Sequence, residues 1–534
     1  METRGTEVVD AVVVGAGHNG LVAANVLADA GWSVLVLEGT GAPGGATRTA
    51  EITAPGFHSD LCSAFYPLGA VSPVFTALDL GAYGLRWRHA PDVLAHVLPD
   101  DRGVVLSRDL DRTADSVSRF APGDGAAWRA EHALWQRIGE RLIDTVLRPF
   151  PPVRAGLGLA RALGAADGLR LARTLMLPVR RFTEERFDGE GAALLLAGCA
   201  QHTDLGPDDA GGAIFGWLLA MIAQEQGFPA AEGGAQRITD ALLARLAERG
   251  GEVLCGRRVT SVLTAGGVAV GVRDAEGGLV RARRAVLADV PAPVLYRELV
   301  GEDALPPRLV SDLGRFEWDD STVKVDWALS GPVPWTAPEA RHAGTVHVGG
   351  DVDGLAGTTT DLVNRRLPET PFLLIGQMTT TDPARSPAGT EALWAYTHVP
   401  RGMNWRDGTL DEVTRRVEDT IERHAPGFRS LVLARNVQGP RQLAEHDLSI
   451  VDGSVNAGTA AIHQQLVFRP VPGLARADTP VDRLFLASAS AHPGGAVHGG
   501  PGHNAARAAL ARWGLAGPLY KALIGGLHRA IYAS

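Results

Sequence analysis

The sequence predicts an α/β protein built on a doubly wound parallel sheet. Three stretches predict it. Residues 8–14 are a short valine-rich run, a Gly-rich turn and the helix-forming residues 21–30 follow, and residues 33–37 are a second apolar run. Strand, turn, helix and strand thus succeed one another at the spacing of a nucleotide-binding half. Residues 252–290 alternate as short strands, with a hairpin signal at Glu276-Gly277-Gly278. Near the end, residues 484–488 form another apolar strand, followed by a Gly-rich loop and a helix over 504–513.

Between these pieces the chain changes character. Residues 71–228 are mostly helical in pattern, and residues 232–250 read as a Gly turn, a helix and a Gly stop. Residues 291–470 are mixed, with strands expected near 322–328, 372–377 and 392–398. Two domains follow, each discontinuous. Residues 1–75, 230–290 and 480–534 form the dinucleotide-binding domain, and residues 76–229 and 291–479 form the other, partly helical.

The composition excludes several classes. The chain of 534 residues is 45% hydrophobic and 21% charged, which are globular proportions. Its net charge of -9 argues against nucleic acid as a partner. Cys62, Cys199 and Cys255 are too scattered for a disulfide framework or a zinc site, and suit a reducing compartment. No secretory leader is legible and no run reaches the ~18 apolar residues of a membrane span, so a cytoplasmic protein is expected. Of 51 basic side chains only Lys324 and Lys521 are lysines, and glycine is abundant, which points to a GC-rich bacterial genome.

Gly15-Ala16-Gly17-His18-Asn19-Gly20 matches G-x-G-x-x-G. It follows a strand, opens a helix, and has an acidic residue, Glu38, at the end of the next strand. Such glycines let backbone N–H groups approach a diphosphate, and the positive end of the helix dipole favours it. Glu38 is placed to accept hydrogen bonds from ribose hydroxyls and would repel a 2′-phosphate, which disfavours NADP. A second glycine pair, Gly44-Gly45, follows within 41–49, where Ala46 and Arg48 also lie.

With the run from Leu37 to Phe57 and the ending His492-Pro493-Gly494-Gly495 … Gly499-Gly500-Pro501-Gly502-His503-Asn504-Ala505-Ala506, the chain resembles the phytoene desaturase-like FAD-dependent oxidoreductases. Within them it is most similar to the branch holding desaturase-type carotenoid ketolases and the pyridine nucleotide-disulphide oxidoreductase domain-containing protein 2 group. Glu232-Gly233-Gly234 and Gly256-Arg257-Arg258-Val259 extend the resemblance through the middle. It implies a Rossmann-type FAD-binding domain with a discontinuous α+β substrate domain, and FAD as cofactor. By position, Gly15, Ala16, Gly17, Asn19, Gly20, Glu38, Gly44, Gly45, Ala46, Arg48 and Val259 would hold the adenosine-diphosphate half. Ser490, Gly502, His503 and Asn504 would lie by the ribityl chain and ring. Many relatives have Gly-Gly-Arg where this chain has Gly44-Gly45-Ala46, so the usual diphosphate arginine is missing and Arg48 or backbone amides take its place. The absence of a second nucleotide motif and of any C-x-x-C argues against a disulphide-reductase mechanism.

Other clusters are weaker. His463, His492, His498 and His503 gather late in the chain. Their spacing fits a loop better than a metal site, and no metal is expected. His498 or His503 is the candidate for proton transfer beside the flavin, with polar loop residues as the plainer account. Residues 153–181 hold six arginines against Asp167, a net of +5, which fits a solvated helix face or a peripheral contact with an anionic bilayer. The apolar tail 515–532 reads as a packed terminal helix. Residues 211–223 fit either a substrate tunnel or core. No G-x-S-x-G elbow supports a nucleophilic serine.

The resemblance implies oxidation of a hydrophobic, isoprenoid or carotenoid substrate by hydride transfer to flavin N5, with quinone or oxygen as acceptor. Amine oxidation is disfavoured because no Tyr or Trp lies between Trp405 and Trp513 and the last cysteine is Cys255. Oxidation of another secondary metabolite, or a flavin-bearing binding protein with little turnover, are the alternatives. No catalytic side chain is assigned with certainty by the sequence.

Overall fold

The computed structural model describes residues 7–406 and 408–532. Four strands of its first sheet run parallel in the order Glu252–Leu254, Val34–Leu37, Glu7–Val14, Leu279–Ala288. Leu279–Ala288 does two jobs. Its first half closes a hairpin with Val268–Asp274, which pairs in turn with Val259–Ala265. Its second half takes Leu484–Leu486 as a further parallel neighbour, with Val286 opposite Leu484. Parallel strands are covered on both faces, so they read as unbroken apolar runs instead of alternating ones. Val34–Leu37 is accordingly buried at every position.

Helices His18–Asp29, Gln236–Glu248 and Gly500–Trp513 cover one face of this sheet through Leu21, Leu27, Ile238, Leu242, Ala505 and Ala509. The opposite face packs Val12, Val14 and Leu35 on Leu295 and Leu309. The first helix crosses the Gly500–Trp513 helix at very short range: a Cβ on Gly502 would stand 1.9 Å from the carbonyl oxygen of Asn19.

The second sheet orders Val432–Gln438, Ser321–Leu329, Glu391–Val399, Leu373–Gln377, Ala343–Val348, Asp92–Val97 and Gly103–Leu106. Side chains alternate between its faces, as the two-residue period requires. Val323, Val325, Trp327, Leu393 and Ala395 meet the helix Thr409–His424 on one side. Ala328, Leu374, Ala392 and Trp394 belong to the core shared with helices Glu190–Ala200 and Gly212–Gln226 on the other. Strands Asp92–Val97 and Gly103–Leu106, inside the stretch read as mostly helical, and Ala343–Val348 and Val432–Gln438 have no counterpart in the sequence reading. Val432–Gln438 is an edge strand carrying Arg435 and Asn436, half-exposed along most of its length, and its apolar signal is diluted.

The helix Gly212–Gln226 packs much of its length into the core and leaves Phe215, Leu218 and Leu219 half-buried. Gly216 brings it against Leu196, whose carbonyl oxygen lies 2.3 Å from where a Cβ would stand, and the Trp217 indole donates to Glu131 at 2.9 Å. The local charge count over residues 153–181 also changes on folding. Arg173 pairs with Glu185, Arg180 with Asp208 and Asp353, and Arg181 with Glu184 and Glu185, all acids outside that stretch. The final helix, Gly517–Tyr532, packs Ile524, His528 and Tyr532 and leaves Leu519, Leu523 and Leu527 on its outer side. Among the described residues no helix is long and apolar enough to cross a membrane.

Burial holds several histidines neutral. It lowers His18, His96 and His492 to about 4 and His202 and His498 to about 3, and pushes His347 down as well. The unfolded chain takes up these protons below about pH 6.5, whereas the folded chain does not. Stability is therefore fully present above that pH and falls on acidification towards pH 4. Thermal unfolding should show a midpoint that drops steeply between pH 6.5 and 4; a level acid limb would contradict the burial of these rings in neutral form.

Candidate active site

A cleft of about 500 Å³ opens at the carboxyl ends of the parallel strands, where ligands of doubly wound sheets sit. Its floor is the turn between the first strand and first helix. Gly15 adopts φ +93°, and a Cβ there would lie 2.7 Å from the Asp289 carbonyl oxygen. The helix that follows carries no side-chain cap. Gly44 N–H donates to Ala16 O at 2.9 Å, which lays the second glycine pair against the first turn. Gly44 and Gly45 both take positive φ, so that backbone path requires them.

Glu38 closes the second strand and is almost fully buried. One carboxylate oxygen accepts from Ala16 N–H at 2.8 Å, the other from Thr40 N–H at 2.7 Å and Thr40 Oγ1 at 2.8 Å. A carboxylate has lone pairs beyond these three bonds, so Glu38 is oriented and still able to accept from a ribose. Val259, Thr260 and Arg258 line the same end, and Gly45, Ala46, His446 and Asp447 the middle.

The far wall is built from two loops held by buried charges. Asp319 accepts from Val455, Asn456 and Gly458 N–H at 2.9, 2.9 and 3.1 Å. The Arg469 guanidinium donates to the carbonyls of Thr459, Asn456 and Ala489. Together they fix Val455, Ala457 and Ala489, which line the cleft.

Several expected cofactor residues stand behind the wall instead of in it. Ser490 Oγ donates to Ala457 O at 2.8 Å and accepts from Ala292 N–H at 3.0 Å. Asn504 Nδ2 donates to Leu147 O at 3.2 Å, and Gly502 is used by the helix crossing. Arg48 donates to His446 O at 3.2 Å, pointing along the loop. His498 has both ring nitrogens engaged: Nδ1 accepts from Gly500 N–H and Nε2 meets Gly495 O, each at 3.0 Å. Neither nitrogen is free to relay a proton, so His498 reads as a loop clamp. His503 is half-buried and outside the cleft lining. The four late histidines do not converge, because His463 pairs with Glu317 and His492 meets Arg148 O.

Two features escaped the sequence. Asp289, directly after the strand Leu279–Ala288, lies half-buried in the cleft floor and accepts from Gly20 N–H at 2.8 Å. On the inner face of the second sheet Lys324 pairs with Asp326, both almost fully buried. Gln438 Nε2 donates to Asp326 at 3.3 Å. Trp394 and Tyr396 stack beside them, 6.1 Å between centroids and 6° between planes. The charges of Lys324 and Asp326 are felt by His446, which lines the cleft.

The site fits FAD. Glycines supply a cradle that side chains would fill, Glu38 supplies a ribose acceptor, and His18 Nε2 and Asn19 Oδ1 are buried at the helix start without a partner.

A sequence profile described as flavin containing amine oxidoreductase matches residues 20–510. Pyridine nucleotide-disulfide oxidoreductase domain-containing protein 2 of Mus musculus is 27% identical over 93% of this chain and 92% of its own. The zeta-carotene-forming phytoene desaturase of Myxococcus xanthus is 27% identical over 90% of each chain. Among solved structures, an oxidoreductase from Methanosarcina mazei shares the fold, with a TM-score of 0.62 at 16% identity over 94% of this chain and 99% of its own.

Proposed function

Since the chain belongs to the flavin-containing amine oxidoreductase family and is an FAD-dependent oxidoreductase, we propose that it oxidises a hydrophobic, isoprenoid-class substrate and passes the electrons to quinone or oxygen. The observation that carries this reading is end-to-end similarity, over nine-tenths of both chains, to a phytoene desaturase. FAD, when bound, supplies the two-electron acceptor. The chain's own residues seat and shield it. The glycine turns and Glu38 hold the nucleotide end, and Asp319 and Arg469 keep the loops of residues 455–459 and 489 in place around the cleft.

A second reading, oxidation of an oxygenated secondary metabolite, is favoured by the inner face of the second sheet. Gln438 Oε1, Trp394 Nε1, Thr322 Oγ1 and His398 Nδ1 are buried there without a partner. A pure hydrocarbon offers such atoms nothing, whereas a hydroxyl or carbonyl substrate would satisfy them.

One experiment separates the two. The purified flavoprotein is kept anaerobic and challenged with a lipid extract split into hydrocarbon and polar fractions, while flavin absorbance is followed. Bleaching by the hydrocarbon fraction supports the isoprenoid hydrocarbon, and bleaching by the polar fraction alone supports the oxygenated substrate. Recovery of colour on adding a quinone, or air, identifies the acceptor. Persistent colour with both fractions would refute a lipophilic substrate.

A further inference from the structure

The dinucleotide turn holds an acid where an anion is to bind. Asp289 Oδ2 accepts from Gly20 N–H, at the start of the helix whose dipole and amides favour a diphosphate. The same oxygen lies 2.7 Å from where a Cβ on Gly17 would stand. Gly17 therefore leaves room for this carboxyl as well as for a ligand. No ion pair reaches Asp289 among the described residues. The groups that face it are Asp447 from the loop after Pro440–His446, and Glu38 from the end of the second strand, both acids. His18, on its own helix turn, is buried and neutral. Arg258 and Glu298 line other parts of the cleft, and Arg48 is turned to the His446 carbonyl. Position 46, which lines the cleft, is an alanine and supplies no cation to offset the acid.

An ionised Asp289 and a bound diphosphate would put like charges side by side in a cleft that the ligand closes to water, which is costly. A neutral one would present an O–H donor to a phosphate oxygen while its other oxygen keeps the Gly20 bond. We infer that Asp289 is a phosphate-binding residue of this cleft that acts as a carboxylic acid, so that in alkaline solution, where it ionises in the free protein, binding of FAD takes up a proton from solvent. Burial, with Asp447 and Glu38 adding to it, raises this carboxyl to about 8 even before a ligand arrives. The proton balance is simple. Below about pH 8 the acid is already neutral and affinity is level. Above it each binding event must first protonate the group, and affinity falls by up to tenfold per pH unit.

The test strips the flavin from the purified protein and titrates FAD back by fluorescence at pH values from 7 to 9. Calorimetry at pH 8.5 in two buffers of different ionisation enthalpy counts protons. The wild-type chain should weaken by roughly five- to six-fold between pH 8 and 9, and at pH 8.5 it should take up about three-quarters of a proton. Asp289→Asn keeps a donor and an acceptor without the charge. It should bind FAD with an affinity independent of pH and no proton uptake. A wild-type chain with a level profile and no proton uptake overturns the proposal. So does an Asp289→Asn chain that keeps the slope, which would move the proton to Asp447 or Glu38. If the variant fails to fold, judged by circular dichroism, proton counting on the wild-type chain still decides, with Asp447→Asn as the control expected to leave proton uptake in place.

Discussion

Gly20→Ala is expected to leave the chain folded but nearly colourless. A Cβ at this position would stand 2.2 Å from the Gly15 carbonyl oxygen and 3.2 Å from Asp289 Cβ. Neither neighbour is a flexible side-chain end: one is backbone of the turn and the other the base of a half-buried side chain. The turn must open to admit the methyl group, and opening it moves the amides that face the cofactor. Overpacking of this kind costs about 1–3 kcal/mol and sometimes more. Spent on the cofactor seat, about 3 kcal/mol corresponds to roughly 150-fold in FAD affinity. The flavin-to-protein absorbance ratio of the purified variant and a titration with added FAD measure it. Stoichiometric flavin in Gly20→Ala would mean that the turn does not constrain the cofactor.

The second large effect lies at Asp60 and Arg385, both fully buried and in contact at 2.6 Å. Arg385 belongs to the short helix Pro383–Arg385; its carbonyl accepts from His58 N–H at 2.8 Å and its Nε donates to the His58 carbonyl at 3.2 Å. Asp60 accepts in addition from Thr49 Oγ1 at 2.7 Å and Ala235 N–H at 2.8 Å. One carboxylate thus ties together the second glycine region, the start of the helix Gln236–Glu248, and a loop of the second sheet. Removing one partner of a buried pair strands the other charge and costs about 3–5 kcal/mol. Arg385→Leu should unfold at markedly lower denaturant, and Asp60→Asn with Arg385→Leu should recover part of the loss, because the stranded charge is then gone. Unfolding of Arg385→Leu within about 1 kcal/mol of the wild-type chain, well below that range, would show that water or another cation serves Asp60.

The nucleotide turn was legible because its residues are consecutive and each has a physical reason to be there. Gly15, Gly17, Gly20 and Glu38 lie within one strand–helix–strand unit, where local pattern and tertiary role coincide. Asp289 was not legible in the same way, being more than 250 residues further on. A signal existed nonetheless: it is an acid directly after a buried apolar run, as Glu38 is after Val34–Leu37. The ending of the chain shows the opposite case. Gly502 and Asn504 look like a second cofactor motif, yet the structure uses Gly502 for a helix crossing against Asn19 and Asn504 to hold the end of the helix Asp124–Leu147. Glycine marks close approach without saying of what. The arginines of residues 153–181 carry the same lesson for charge, since their partners at Glu185, Asp208 and Asp353 are brought in only by folding.

The first sheet draws its strands from residues 7–37, 252–288 and 484–486, and this has a consequence for how the protein is made. At roughly 5–20 residues per second the ribosome needs about 25–100 s to pass from the first strand to the last. Throughout that interval the amino-terminal strand pair lacks its outer neighbours and exposes apolar edges, a substrate for holding chaperones. The flavin cannot be locked in until translation is nearly over. A message broken anywhere before codon 486 therefore yields not a weaker enzyme but a chain with an unfinished cofactor fold.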